Sequence, residues 1–445
     1  MELTIFRSSK GDCLLISHPD GNGKNKNILV DGGMTTSFNN SVAPYLNQQL
    51  KANNETIDLL CLSHIDADHI VGVLTLMKLL TDWRVFNHHQ STNPVNNNFK
   101  RPKHPEPPTI KSIWHNSFAK SYNLGAALPR VTNALYLIEQ ATIKFLDDSL
   151  LEEVHHKATS VKQGITLSQR IQPEQLDIAL NPQFNGKLVK CNQRFLKKNS
   201  HKIGNLTITI IGPFTSDLND LKEDWKAWEK KHRTELIEFY ANLNLTDLDQ
   251  PLGSSELSQL LIDSGSIDLT LGDRGEVTIP NLASIMFLIE ADNKSILLTG
   301  DGHADDILKG LKKNKKMDDI GSIHINVLKI QHHGASANIH KEFCKEVIAD
   351  HYVFCGNGTH TNPEAEVIDL IYNSRRSLGD QKSMNNKVDD PFTFWFSVNP
   401  EDDLTNHQKE HLEMIADKLN ALKASDATFD FNFMPVADDL QSIVL

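Results

Sequence analysis

A chain of 445 residues is long enough for up to about three domains or one large elaborated one. Its 39% hydrophobic and 23% charged content, with 17 Pro and 23 Gly, places it among ordinary globular chains and excludes collagen-like, coiled-coil and wholly disordered classes. The balance of 45 basic against 57 acidic residues, formally -12, argues against a large positive surface that coats nucleic acid and leaves room for a local basic groove.

The opening Met1-Glu2-Leu3-Thr4-Ile5-Phe6-Arg7 lacks the basic start and apolar run of a signal peptide, and no stretch approaches ~18 uninterrupted apolar residues. The expectation is a cytoplasmic chain without membrane contact. Strands are expected at residues 3–5, 13–16 and 28–30, and the apolar run 57–62 reads as a buried strand. A polar cluster follows it, then a helix over residues 70–80. Residues 87–108, rich in Asn, Pro and His without periodicity, read as an exposed loop able to cover a site. Residues 130–160 read as helical, 206–211 as a strand, and the charged 217–262, with Trp225 and Trp228 one turn apart, as an inserted helical stretch. Strands at 284–290 and 295–298, a helix at 304–313 and a strand at 325–330 follow. The tail offers a strand at 392–396, a helix with Leu412, Ile415, Ala416, Leu419 and Leu422 on one face, and the alternating Phe429, Phe431 and Phe433. Five dispersed cysteines with no paired spacing argue against a disulfide scaffold.

The chemistry concentrates in Leu62-Ser63-His64-Ile65-Asp66-Ala67-Asp68-His69, where two imidazoles and two carboxylates occupy six positions after a buried strand. Such groups repel or compete for solvent unless a divalent cation binds both types and offsets the carboxylate charge. The plainer alternative is a solvated turn with Asp68 as the cap of the following helix. A Thr299-Gly300-Asp301 turn ends a later strand, and Gln331-His332-His333-Gly334 ends another.

The first segment resembles the signature loop of the metallo-β-lactamase fold, with Asp66 where most members carry a second His. Its wording is similar to the branch containing the hydrolase domain of the ComEC competence protein. The Thr-Gly-Asp turn, the Leu328-Lys329-x-x-His332-His333-Gly334 element, the hairpin around Gly11-Asp12 and Asp31-Gly32-Gly33, and Asn281-Leu282-Ala283-Ser284 resemble the same branch. The resemblance implies an αββα sandwich, two mixed sheets flanked by helices, over residues 1–375. The resemblance covers residues 1 to about 85 and 280–375; the other segments, read only by pattern, are expected to be insertions near 87–130 and 214–275 and an extension, 376–445, packed on the same domain. It implies two divalent ions, zinc first, with manganese or iron competitive because Asp66 adds a hard ligand. His64, Asp66 and Asp301 would hold one ion, and Asp68, His69, Asp301 and His333 the other, with Asp31 and Ser63 supporting the ligand loop from behind. Adjacent strand-end residues point in different directions, so His333 is favoured as ligand and His332 as a contact to substrate or leaving group.

Two departures matter. The strand 207–212 ends without a ligand where the family places a histidine, which leaves His115 as a substitute ligand or a structural histidine. His360 stands three positions ahead of Pro363 rather than directly before it, and Asn362-Pro363-Glu364 reads as a helix cap and first turn. The function implied is hydrolysis by a metal-activated hydroxide, with Asp68, His332 and His360 as the catalytic candidates. A phosphodiesterase or nuclease leads. A small-molecule esterase or lactonase is the enzymatic rival, and a catalytically weakened member serving as a protein partner in a larger assembly is the non-enzymatic one. Basic clusters at 194–198 and 312–316 are able to guide a polyanion such as nucleic acid, or are ordinary solvated faces.

Overall fold

The computed structural model describes residues 1–92, 100–116, 163–164, 166–224, 271–377 and 379–445. Seven strands form one mixed sheet: β1 (Glu2–Phe6), β2 (Leu14–Pro19), β3 (Asn25–Val30), β4 (Leu59–Cys61), β5 (Ser112–Trp114), β6 (Ala179–Leu180) and β15 (Leu440–Val444), in the order β15-β1-β2-β3-β4-β5-β6. Eight form the other: β7 (Ser200–Ile203), β8 (Leu206–Gly212), β9 (Met286–Ala291), β10 (Lys294–Leu298), β11 (Ile323–Lys329), β12 (Val347–Phe354), β13 (Phe392–Phe396) and β14 (Phe429–Phe433), in the order β14-β13-β12-β11-β10-β9-β8-β7. Each sheet is antiparallel on one side and parallel on the other, the parallel runs being β3 to β6 and β10 to β14.

Period-two alternation sorts the side chains into three cores. Leu14, Ile16, Leu59 and Cys61 meet Ile208, Ile210, Ile296 and Leu298 between the sheets, while their neighbours Leu15, Leu60 and Leu297 face outward. The outer faces are covered by α1 (Ala67–Thr92) on the first sheet, through Ile70, Val73, Leu76 and Met77, and by α2 (Ala304–Lys313), α3 (Lys341–Glu346), α4 (Ala365–Arg376) and α5 (Asn406–Ser425) on the second. The layers run helix, sheet, sheet, helix, the mixed αββα sandwich expected from the sequence. Both sheets recruit strands from beyond residue 376: β13 and β14 complete the second, and β15 edges the first against β1.

Several boundaries differ from expectation. The first helix runs from Ala67 to Thr92, so residues 87–92 of the expected loop are its last turns. Trp83 anchors that end, stacking edge-on against Phe86 and donating from Nε1 to the carbonyl of His104 at 3.0 Å. The helix after Pro363 begins at Ala365 with Glu364 at the N-cap position and no side-chain cap bond, so Asn362, in extended backbone, precedes it rather than capping it. Of the charged stretch 217–262, residues 217–224 are helical; the rest, with Trp225 and Trp228, and the expected helix at 130–160 lie outside the described residues. No helix among the described residues is long and apolar enough to cross a membrane.

Candidate metal centre

The parallel strands of both sheets deliver the site from their C-terminal ends, where α/β sheets place ligand groups. Asp31 follows β3, Ser63 and His64 follow β4, Asp301 follows β10, and His332 and His333 follow β11. The short β4–α1 connection passes directly into the helix, the carbonyl of Asp66 accepting the N–H groups of His69 and Ile70, both at 3.0 Å. Ala67 opens α1, so Asp68 sits inside the first turn and is not the cap. Close glycine contacts hold this loop down. A Cβ on Gly11 would lie 1.7 Å from the carbonyl oxygen of Asp68, and one on Gly72 would lie 1.9 Å from that of Gly32.

Asp301 is the hub. Its Oδ2 stands 3.3 Å from Nε2 of His69, 3.7 Å from that of His333, and 3.8 Å from those of His64 and His332. His64, His69 and Asp301 form one three-residue grouping of metal-ligand type, and Asp68, His69 and His333 form another. Asp68 Oδ2 reaches His333 Nε2 at 3.4 Å. Asp66 reaches His64 Nε2 at 3.6 Å and is in none of the groupings. The two adjacent histidines both converge on Asp301, contrary to the strand-end expectation. They have left the extended backbone: φ is 44° at His332, 58° at His333 and 95° at Gly334, so alternation no longer separates their side chains. Two successive non-glycine residues in that region are costly and persist only where surrounding contacts fix them, whereas Gly334 adopts it freely.

Two carboxylates orient the imidazoles from behind. Asp31, fully buried, accepts from the Ser63 N–H and hydroxyl, both at 2.7 Å, and from Nδ1–H of His69 at 2.9 Å, which turns His69 Nε2 toward Asp301. Ser63 Oγ also meets His64 Nδ1 at 3.0 Å. The second is Asp12, whose Oδ1 faces His333 Nδ1 at 3.2 Å while its Oδ2 pairs with Lys329 Nζ at 2.5 Å. Lys329, with 1% of its surface exposed, also donates to the carbonyl of Gly300 at 3.0 Å and lies 3.5 Å from Asp301 Oδ1. The sequence motifs contain Asp12 and Lys329 without assigning either a role. The only signals in the sequence are an acidic residue beside a glycine in a tight turn and a lysine at the end of an otherwise apolar strand.

Charge and burial compete here. Burial disfavours the imidazolium of His333, yet Asp301, Asp12 and Asp68 outweigh it and push its pKa up to about 9. His69 is likewise raised against its own desolvation by Asp301, Asp68 and Asp31. Asp68 and Asp301 are held below the usual carboxylate range, despite burial, by the surrounding histidines. The site therefore has a strong affinity for positive charge. Nε2 of His64, His69 and His333 are buried with no hydrogen-bond partner among the described residues, although polar groups this buried are ordinarily paired. Unsatisfied imidazole nitrogens facing carboxylates are the donor set a divalent cation completes, so these residues fit such an ion.

His115, at the end of β5, is buried with both ring nitrogens unpartnered among the described residues, and burial pushes its pKa down to about 4. It belongs to none of the ligand groupings. His360 is exposed at φ 57° on the rim; its imidazolium is disfavoured by desolvation and then by Lys10 and His332, with Asp68 opposing. All five cysteines are buried and unpaired. Burial, with the carboxylates Asp31 and Asp12, raises the thiols of Cys13, Cys61 and Cys355 well above their usual value, which keeps them protonated and unsuited to bind metal.

No curated protein matches this sequence. Among solved structures, a CmlA beta-hydroxylase mutant is 8% identical at a TM-score of 0.33, the match covering 100% of this chain and 54% of that one. Zinc-bound PqqB from Methylobacterium extorquens is 10% identical at a TM-score of 0.30, with 100% of both chains covered. Residues 10–114, the stretch that carries Asp12, Asp31 and the whole His64–His69 loop, match the family model of the metallo-beta-lactamase superfamily.

Proposed function

We propose that the chain is a metal-dependent hydrolase acting on phosphodiesters, of the branch that resembles the ComEC hydrolase domain. One observation carries the reading: three buried imidazole nitrogens without hydrogen-bond partners among the described residues face the carboxylates of Asp68 and Asp301 at the C-terminal ends of the parallel strands. His64 and Asp301, with Asp66 nearby, would hold one divalent ion; Asp68, His69, His333 and Asp301 would hold the second. Zinc suits the imidazoles, and the carboxylates make manganese or iron competitive. Bound there, such ions supply Lewis acidity, which gives a nucleophile at neutral pH and offsets charge on the attacked phosphoryl oxygen.

The chain's own groups do the rest. Asp31 and Asp12 keep His69 and His333 with Nε2 turned inward. Lys329 cancels the charge of Asp12, so that Asp66, Asp68 and Asp301 remain as the carboxylates balancing the cations. His332, whose side chain is 33% exposed with Nε2 3.8 Å from Asp301 Oδ2, would give a proton to the leaving oxygen. Asn338 Oδ1 fixes its Nδ1 at 2.9 Å, so Nε2 is the nitrogen presented to substrate. His360, whose protonated form is disfavoured, is less often available as a donor and would be a contact to the departing group.

The test is hydrolysis of bis(p-nitrophenyl) phosphate beside p-nitrophenyl acetate and a lactone, with metal content measured on the same samples. Two ions per chain and diester cleavage that falls by about three orders of magnitude or more in His64→Ala and Asp301→Asn are expected, the loss typical when activation of the nucleophile is removed. Cleavage of carboxylic esters alone would move the assignment to an esterase or lactonase. Absence of bound metal would overturn it.

A further inference from the structure

Unpaired positive charge is concentrated away from the metal cluster. The basic residues at 194–198 and 312–316 come from distant parts of the chain, and the fold joins them: Asn199 donates from Nδ2 to Asn314 Oδ1 at 2.9 Å, across 115 positions. Asn314 is pinned in turn, donating to the carbonyl of Ile210 at 3.1 Å. Lys309, Lys312 and Lys313 line one depression of about 480 Å³ with Asp305 and Leu308. Lys312 is matched by Glu346 at 2.7 Å and Lys316 by Glu290 at 2.5 Å. Arg194, Lys197, Lys198, Lys309, Lys313 and Lys315 have no carboxylate within 4.0 Å among the described residues, in a chain of formal charge -12. Phe195 stands among them with 60% of its surface exposed and Lys198 Nζ 4.9 Å from its ring centre.

An uncompensated cationic face around an exposed aromatic ring is the chemistry that holds single strands, with lysines on phosphates and a base stacked on the ring. A duplex would offer no free base face to Phe195. We propose that this face is an accessory binding surface for single-stranded nucleic acid, with Phe195 as the stacking platform. The assignment rests on and deepens the phosphodiesterase reading. The helix α2 starts three residues after Asp301 and carries Lys309 and Lys313 within roughly 14 Å of its start along the axis, so the same helix links the cluster to this face.

The experiment is fluorescence anisotropy of labelled oligothymidylate with the 445-residue chain held metal-free in chelator, as a function of salt. Two variants are compared with the parent: Lys197→Glu/Lys198→Glu/Lys313→Glu, all at exposed positions, and Phe195→Ala. The triple variant should bind about tenfold or more weakly, and its salt slope should shrink by about two, near 0.7 for each phosphate no longer neutralised. Phe195→Ala should weaken binding about fivefold or more with the slope unchanged. Both should cleave bis(p-nitrophenyl) phosphate as the parent does once metal is restored. No strand binding by the parent, equal binding by the triple variant, or preference for phosphatidylserine vesicles over the strand would each overturn the proposal. Strand binding that fails in the triple variant, together with no diester cleavage by the parent, would keep the surface and reject the reaction.

Discussion

His333 and His115 end strands in opposite sheets, are buried to 6% and 1% exposure, and have opposite electrostatics. Among the described residues His115 meets no carboxylate, and burial takes its pKa down to about 4. His333 suffers the same burial, but Asp301, Asp12 and Asp68 surround it and its pKa rises to about 9. The difference shows what makes a buried imidazole a cation site. Desolvation produces a neutral core histidine, and only a surplus of carboxylates converts it into a group that holds a proton, and in its place a metal.

The comparison breaks hardest at Lys329, the fixed cation within the carboxylate surplus. Lys329→Met removes from buried Asp12 and Asp301 their one permanent counter-charge, leaving only the histidines, and should lower stability by about 3–5 kcal/mol, the range for breaking a buried pair from one side. Urea unfolding measures it. Lys329→Met/Asp12→Asn should recover much of the loss, because the uncompensated charge is then gone. Equal loss in the double variant would show that Lys329 acts through packing alone.

The two histidines should also give pH dependences of opposite sign. For His115, the folded pKa near 4 lies below the ordinary 6.5, so the unfolded chain binds more protons between those values. Stability present above pH 6.5 is lost as pH falls toward 4, by about 3 kcal/mol in all, and His115→Leu should abolish this limb. For His333 in the metal-free protein, the folded pKa lies above 6.5, so its contribution is complete below pH 6.5 and lost as pH rises through about 9. Metal should restore stability in that alkaline window and release protons on binding. Thermal melts with and without chelator between pH 4 and 9.5 check both limbs; limbs of the same sign would contradict the contrast drawn between the two sites.

Most of the sandwich is legible in the sequence because its signals are local. The runs at 392–396 and 304–313 coincide with β13 and α2, and Leu412, Ile415 and Leu419 are the buried face of α5 as their spacing requires. The loop 62–69 is legible because its ligand-type residues are contiguous. What escapes a reading of the sequence depends on convergence between distant segments. Asp12 matters because it meets His333 across 321 positions, and nothing in a Gly-Asp turn announces that. The backbone turnover at His332 and His333 escapes for a related reason: tertiary contacts, not residue preference, stabilise left-handed histidines. The end of α1 lies beyond its expected place because Asn and His only weakly oppose a helix that Trp83 anchors.

A smaller effect separates the two supporting carboxylates from the ligands they orient. Asp31→Asn keeps a hydrogen-bond acceptor for Ser63 but removes the charge that holds His69, and Asp12→Asn does the same at His333. Each should weaken metal affinity about 10–100-fold, equivalent to roughly 1.4–2.7 kcal/mol, without changing the number of ions bound. Competition against a metallochromic indicator reads this directly. Loss of an ion altogether in Asp31→Asn would mean that the carboxylate is itself a ligand, as its grouping with Asp12 and His69 also permits.

The smallest expected effect tests whether the rim is distinct from the cluster. The first turn of α5 is fixed by a capping box in which the Thr405 hydroxyl accepts from the Gln408 N–H and the Gln408 side chain returns to the Thr405 N–H. The same turn braces the His360 loop, because Gln408 Nε2 donates to Thr359 Oγ1 at 2.9 Å and His411 Nε2 donates to the carbonyl of Pro363 at 3.0 Å. Thr405→Ala should therefore cost about 1 kcal/mol of stability. It should loosen His360 while leaving the histidines that face Asp301 in place, since among the described residues the hydrogen bonds and ion pairs of their side chains go to Asp12, Asp31, Asp66, Asp68, Asp301, Ser63, Ser284, Asn281 and Asn338 and not to α5. Metal affinity unchanged within a factor of about two, beside a lowered unfolding midpoint, is the expected pair of readings, because distant independent sites are additive within a few tenths of a kcal/mol. A parallel drop in metal affinity would show that the rim and the cluster are one cooperative unit, and that the carboxylate surplus around Asp301 depends on the far helix as well as on its own strands.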